Sequence, residues 1–205
     1  MAWLNNYLFL PVIILFITGS ALALMRPQPR SMIILAVQYM AVSWLASTSL
    51  PAAGVAAKLV TGLLVCVILY LGLRQIGDGP LQGDDQMLSA NLPFRIIALL
   101  IVTVASVSVA RSNLFAQFDV RMEAGVGALF LVASSLLNLG LGTDQLRIGI
   151  GLLTLVSGAE LIYGFIEPSL ALIALLAMVH LGIVLVFSYI ISIQIRYSMS
   201  ENRDP

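Results

Sequence analysis

Apolar positions run almost unbroken along this chain, and the polar ones collect in a few short gaps. A helix that crosses a bilayer needs about 20 mostly apolar residues. Seven runs meet that requirement. They predict helices over Tyr7–Met25, Ser31–Leu50, Ala52–Arg74, Phe94–Ala110, Met122–Leu141, Arg147–Ile166 and Ser169–Ile193. Pro51 and Pro168 leave almost no chain between the helices they separate, so each marks a tight hairpin that ends one helix and starts the next. The only sizeable gap, Gln75–Pro93, holds Gly77, Asp78, Gly79, Pro80, Gly83, Asp84 and Asp85, and reads as a flexible polar connector. The expected fold is all-α: a polytopic membrane protein of about seven transmembrane helices.

Composition strengthens that reading. Of 205 residues, 60% are hydrophobic and only 10% are charged. Soluble domains carry about 25% charged residues. A lone soluble domain of this size cannot hide so much apolar surface, so the excess calls for lipid or partner helices. The formal net charge of zero argues against nucleic acid as a partner. The single cysteine, Cys66, lies inside an apolar run and reads as a small apolar filler.

Arginine placement adds a direction. No positive residue precedes the first apolar run, and Arg26 and Arg30 follow it, which is the reverse of a secretory signal. The run is expected to stay as a first helix with its N-terminus outside. Arg26, Arg30, Arg74, Arg95, Arg147, Arg196 and Arg203 then fall on the cytoplasmic side, with only Arg111 and Arg121 outside. The expected location is the inner membrane of a prokaryote, with the C-terminus cytoplasmic.

A faint repeat divides the chain. Arg30 and Pro51 bracket one helix, and Arg147 and Pro168 bracket another, each pair 21 residues apart. Residues 1–75 and 122–205 then form two three-helix units of the same orientation, the second ending in a short tail. Residues 76–121 hold the polar loop, the fourth helix and a connector. Repeated halves are common in membrane transport proteins.

An ionisable group at membrane depth costs from about 2.5 kcal/mol upward and asks for a reason. Lys58 stands six residues into the third helix, about 9 Å from its end at 1.5 Å per residue. It can snorkel to the interface, or it can be a buried amine on a proton path. Glu160 stands six residues before the end of the sixth helix, at the same depth of about 9 Å. Its context, Ser157-Gly158-Ala159-Glu160, lets a neighbouring helix come close, for a structural hydrogen bond or for proton exchange. His180 lies near the middle of the seventh helix, as a packing residue or as a proton carrier. Gln38 offers a polar site that does not ionise near neutral pH. With Ser43, Thr61, Ser134, Ser135 and Asn138 it can line a hydrogen-bonded water track, although each hydroxyl alone reads as helix glue. Glu167, Asp144, Asp119 and Glu123 fall at helix ends and read as interfacial. There is no CxxC, no histidine pair at i and i+4 and no glycine-rich phosphate loop, so no cofactor, metal or catalytic residue is expected. The seventh helix has no lysine for a retinal Schiff base.

Two segments carry a family resemblance. Ala36-Val37-Gln38-Tyr39 followed by Ala56-Ala57-Lys58-Leu59-Val60 resembles component E of the membrane-bound hydrogenases, in the hydrogenase-4 and formate hydrogenlyase group. Arg147 to Arg196 resembles the three-helix K subunit of respiratory complex I, whose G-x-E stretch is matched by Gly158-Ala159-Glu160. That subunit has a second glutamate four residues before a glycine. Here Met178 stands at that place before Gly182, with His180 nearby, and Lys58 holds the equivalent place before Gly62. The resemblance implies a non-redox membrane subunit that helps carry protons, or sodium ions, along a polar axis in the membrane plane. Lys58, Glu160, His180 and Gln38 would be its relay groups, membrane lipid and other integral membrane subunits its partners, and metal-cluster chemistry would lie elsewhere in the assembly. Two other classes compete: a structural scaffold within such a complex, and a small stand-alone transporter built from the two units.

Overall fold

A computed structural model describes residues 2–25, 31–74, 92–112, 121–142, 145–167 and 169–201. Seven helices account for nearly all of them: α1 (Ala2–Leu24), α2 (Ser31–Ala46), α3 (Ala52–Arg74), α4 (Leu92–Arg111), α5 (Met122–Leu141), α6 (Gln145–Ile166) and α7 (Leu170–Glu201). No strand occurs among the described residues. Five helices, α3 to α7, are long and apolar enough to cross a membrane. The polar segment 75–91 and the acidic residues Asp119 and Asp144 lie outside the described residues.

Several helices depart in length from the apolar runs that predict them: α1 begins at Ala2 rather than Tyr7, and α2 and α7 mark the extremes. The second run extends to Leu50, but α2 stops at Ala46, and its 16 residues span only about 24 Å. The Ser47 and Thr48 hydroxyls turn back onto the Trp44 and Leu45 carbonyls. Those bonds compete with the helix ladder, and Pro51 can supply no further N–H to extend it. At the other extreme, α7 runs to Glu201. Only Leu170–Ile193 of it is apolar enough for the bilayer.

The packing brings each helix of the first three against the helix four places later. Neighbours in sequence pack as α1–α2–α3 and as α5–α6–α7, and across the molecule α1 meets α5, α2 meets α6 and α3 meets α7. Contacts at glycines fix the direction of each pair. Gly127 lies against Val12 and Leu15, and Gly19 against Phe130 and Ser134, so α1 and α5 run parallel. Gly54 meets Leu170 and Ile173, and Gly72 meets Ser188, so α3 and α7 run parallel. α4 packs on α5 and more lightly on α1.

Lipid explains the outer surface. Ile33, Ile97, Leu100, Met178 and Tyr189 are all strongly exposed, which water does not tolerate on this scale. The interior is close-packed around two clusters. One joins Val12, Leu15, Val42, Leu45, Leu131 and Leu161. The other joins Leu35, Tyr39, Val65, Leu69, Leu153 and Val184. The second lies directly under the polar residues described next. Cys66 belongs to it as a buried free thiol.

Candidate functional site

Helical periodicity brings three ionisable side chains inward from three helices. On α3 the buried positions Gly54, Lys58, Gly62, Val65, Leu69 and Leu73 recur every three or four residues, so Lys58 points into the bundle rather than at lipid. On α6, Ser157 and Glu160 share a face with Leu153, Leu161 and Gly164. On α7, Ile173, His180, Val184 and Ile191 make the inward stripe. Relative exposures of 4% for Lys58, 6% for Glu160 and 2% for His180 show that none of them snorkels.

The three meet. Lys58 Nζ lies 2.7 Å from Glu160 Oε2, and His180 Nδ1 lies 4.0 Å from the same oxygen. The matched depths of about 9 Å anticipated a common level. That the two charges face each other is a finding of the structure. Lys58 carries three donors, and its contact with the carboxylate is short but off the best hydrogen-bond angle, so the pair does not exhaust the ammonium. His180 starts about one turn deeper. Helical side chains tilt toward their own N-terminus, and this carries the imidazole back to the carboxylate.

A second layer holds the imidazole. His180 Nδ1 lies 2.9 Å from the Leu176 carbonyl, and Nε2 lies 3.1 Å from Ser157 Oγ. Ser157 Oγ is also 2.9 Å from the Leu153 carbonyl. Tyr39 presents its ring edge-on to His180, with centroids 5.9 Å apart and planes at 65°. Its hydroxyl is buried and turned toward Ser157 without completing a well-aligned hydrogen bond. A side chain on Gly62 would force Tyr39 to shift, because a Cβ there would come within 2.7 Å of its ring. Tyr39, Lys58, Thr61, Gly62, Glu160, Ile173, Ala177 and His180 surround a recess with room for about one water molecule.

The remaining polar residues divide by whether their groups are already used. Thr61, Ser134 and Ser135 bond to carbonyls of their own helices, as helix glue does. Gln38 Oε1, Ser43 Oγ and Thr154 Oγ1 are buried without a hydrogen-bond partner among the described residues. Gln38 does not line the recess; Tyr39, the next residue, does. Glu167 is exposed and Glu123 half-buried at their helix ends. No group of three metal-ligating side chains occurs among the described residues.

A second charged centre lies at the opposite end of the bundle. Arg147 donates to the Ala23 and Met25 carbonyls at 3.4 and 2.9 Å. Arg95 donates to the Ala23 and Leu141 carbonyls at 3.5 and 3.1 Å. Both side chains are buried. They meet the unpaired carbonyls where α1 and α5 end, which is where the helix dipole favours a cation. In the sequence Arg95 counts only toward sidedness, and Arg147 toward sidedness and the start of the second repeat. Their position one turn inside α4 and α6 is the signal for a capping role.

Comparison adds no relative. No protein-family profile matches the chain, and neither a curated protein nor a solved structure matches it.

Proposed function

We propose that the chain is a non-redox integral membrane subunit of a complex I-like or membrane-bound-hydrogenase-like assembly, and that it contributes to proton (or sodium) translocation along an intramembrane polar axis. The observation that carries this reading is the Lys58–Glu160 ion pair, buried between α3 and α6 with His180 4.0 Å away. A buried ion pair is weak evidence for stability, since hydrophobic residues of similar volume often do as well. Intramembrane ionisable residues, by contrast, mark ion pathways and proton relays. Lysine, glutamate and histidine can each take or release a proton, and the adjoining recess admits a water rather than a solute. The metal-cluster chemistry of the host would belong to other subunits, and the inner-membrane location with the arginine-rich end cytoplasmic goes with the same reading.

Purification in mild detergent should bring large hydrophobic companions and an iron–sulfur arm with the chain. In that assembly Glu160→Gln keeps the shape of the carboxyl group and removes its proton exchange. Ion translocation by inverted membrane vesicles should fall at least about tenfold with the assembly intact, consistent with the usual contribution of a positioned acid–base group. Unchanged translocation in an intact assembly would leave the chain as a scaffold, the competing reading.

A further inference from the structure

The buried hydroxyl of Ser157 is where the relay acquires a direction. A backbone carbonyl can only accept a hydrogen bond. Nδ1 of His180, 2.9 Å from the Leu176 carbonyl, therefore carries a proton. In the neutral ring Nε2 is then bare, and the partner 3.1 Å away, Ser157 Oγ, must donate to it. The same hydroxyl has a second place to point, the Leu153 carbonyl at 2.9 Å. When Nε2 gains a proton it becomes a donor, Ser157 Oγ becomes its acceptor, and the serine hydrogen turns to Leu153.

We infer that Ser157 is a hydroxyl relay that loads and unloads His180 at Nε2, while Nδ1 keeps its proton and donates it to the Leu176 carbonyl. One proton enters per conversion. The incoming proton arrives on Ser157 Oγ, whose own hydrogen passes to Nε2, and the new hydroxyl hydrogen then points to the Leu153 carbonyl, which only accepts. No other bond changes. Glu160 sits on the Nδ1 side, 4.0 Å from a nitrogen already committed to a carbonyl. His180 thus exchanges its proton away from the ion pair, one turn deeper in the bundle. The charged and titratable groups around the ring are Tyr39 from α2, Lys58 from α3 and Glu160 from α6. The inference deepens the translocation reading and rests on it for its purpose, but not for its test.

The chain contains one histidine, so a nitrogen-labelled histidine gives a single pair of ring signals. Solid-state NMR of the full chain in lipid bilayers should show, in the neutral ring, a protonated Nδ1 and a bare, hydrogen-bonded Nε2. Ser157→Ala should abolish the hydrogen-bond signature at Nε2 and slow exchange of its proton about tenfold, the kinetic equivalent of one hydrogen bond. Ser157→Thr keeps the hydroxyl and should restore both, which separates a relay from a packing effect. A neutral ring protonated at Nε2, or an exchange rate unchanged in Ser157→Ala, would overturn the inference. Neither readout depends on translocation, so a null result for Glu160→Gln would count against the proposed function and leave this one standing.

Discussion

The molecule keeps buried charge in two places and handles it in opposite ways. At the Lys58–Glu160–His180 site, groups of opposite sign and changeable charge face one another across α3, α6 and α7. At the other end, Arg95 and Arg147 both reach the Ala23 carbonyl and fix the ends of α1 and α5. Arginine does not lose its proton in proteins, and its planar fork of donors suits two carbonyls at once. Such a centre can bear load but cannot pass a proton. Lysine, glutamate and histidine can exchange one, at the expense of holding a balance that any single substitution upsets. The contrast sets a buried charge centre that can only hold helix ends beside one whose groups are of types able to exchange a proton.

That contrast breaks first at the ion pair. Lys58→Leu leaves Glu160 without its counter-charge and should cost about 3–5 kcal/mol if the carboxylate stays ionised. Thermal unfolding in detergent would register the loss, and translocation by whatever assembly survives should drop by more than tenfold. Arg147→Ala comes next. It removes two charge-assisted bonds to carbonyls and should cost about 2–3 kcal/mol in the same assay. Translocation per assembled complex should stay near the wild-type value, and a large fall would erase the distinction between the two centres. Gly62→Ala should cost about 1–3 kcal/mol, because the new methyl group must displace the Tyr39 ring. It should also perturb His180, through the edge-on contact, more than it perturbs Arg147. The smallest effect belongs to Cys66→Ala, about 1 kcal/mol or less for one atom in the second cluster, with translocation unaffected.

How much of this was legible in the chain differs from residue to residue. The seven helices follow from apolar length, because in a bilayer the backbone has few alternatives to the helix. The end of α2 was not legible, since Ser47 and Thr48 are uncharged and too weakly polar to interrupt a run while their hydroxyls locally undo the helix. The shared depth of Lys58 and Glu160 follows from counting residues from the hairpins. Their pairing does not, because depth says nothing about which way each helix is turned. In a soluble helix an apolar stripe would give that rotation. Here lipid and core are equally apolar, as Leu59 and Val60 beside Lys58 illustrate: both are exposed, yet neither differs in hydropathy from the buried Val65. The roles of Ser157 and Tyr39 were hidden for the same reason: Ser157 reads only as a small residue beside Glu160, and Tyr39 only as the neighbour of Gln38. Gln38 itself drew notice for its amide, while the recess is lined by its neighbour.

A charge exchange puts the central pairing to the sharpest test. Lys58→Glu and Glu160→Lys should each destabilise the bundle strongly, by setting like charges against each other where an ion pair 2.7 Å apart now sits. Made together they restore opposite signs at the same place. In a double-mutant cycle read by thermal unfolding, the double variant should be more stable than either single variant, with a coupling of about 2–3 kcal/mol. If the two losses simply add, the amine of α3 and the carboxylate of α6 do not meet inside the membrane, and the relay has no centre.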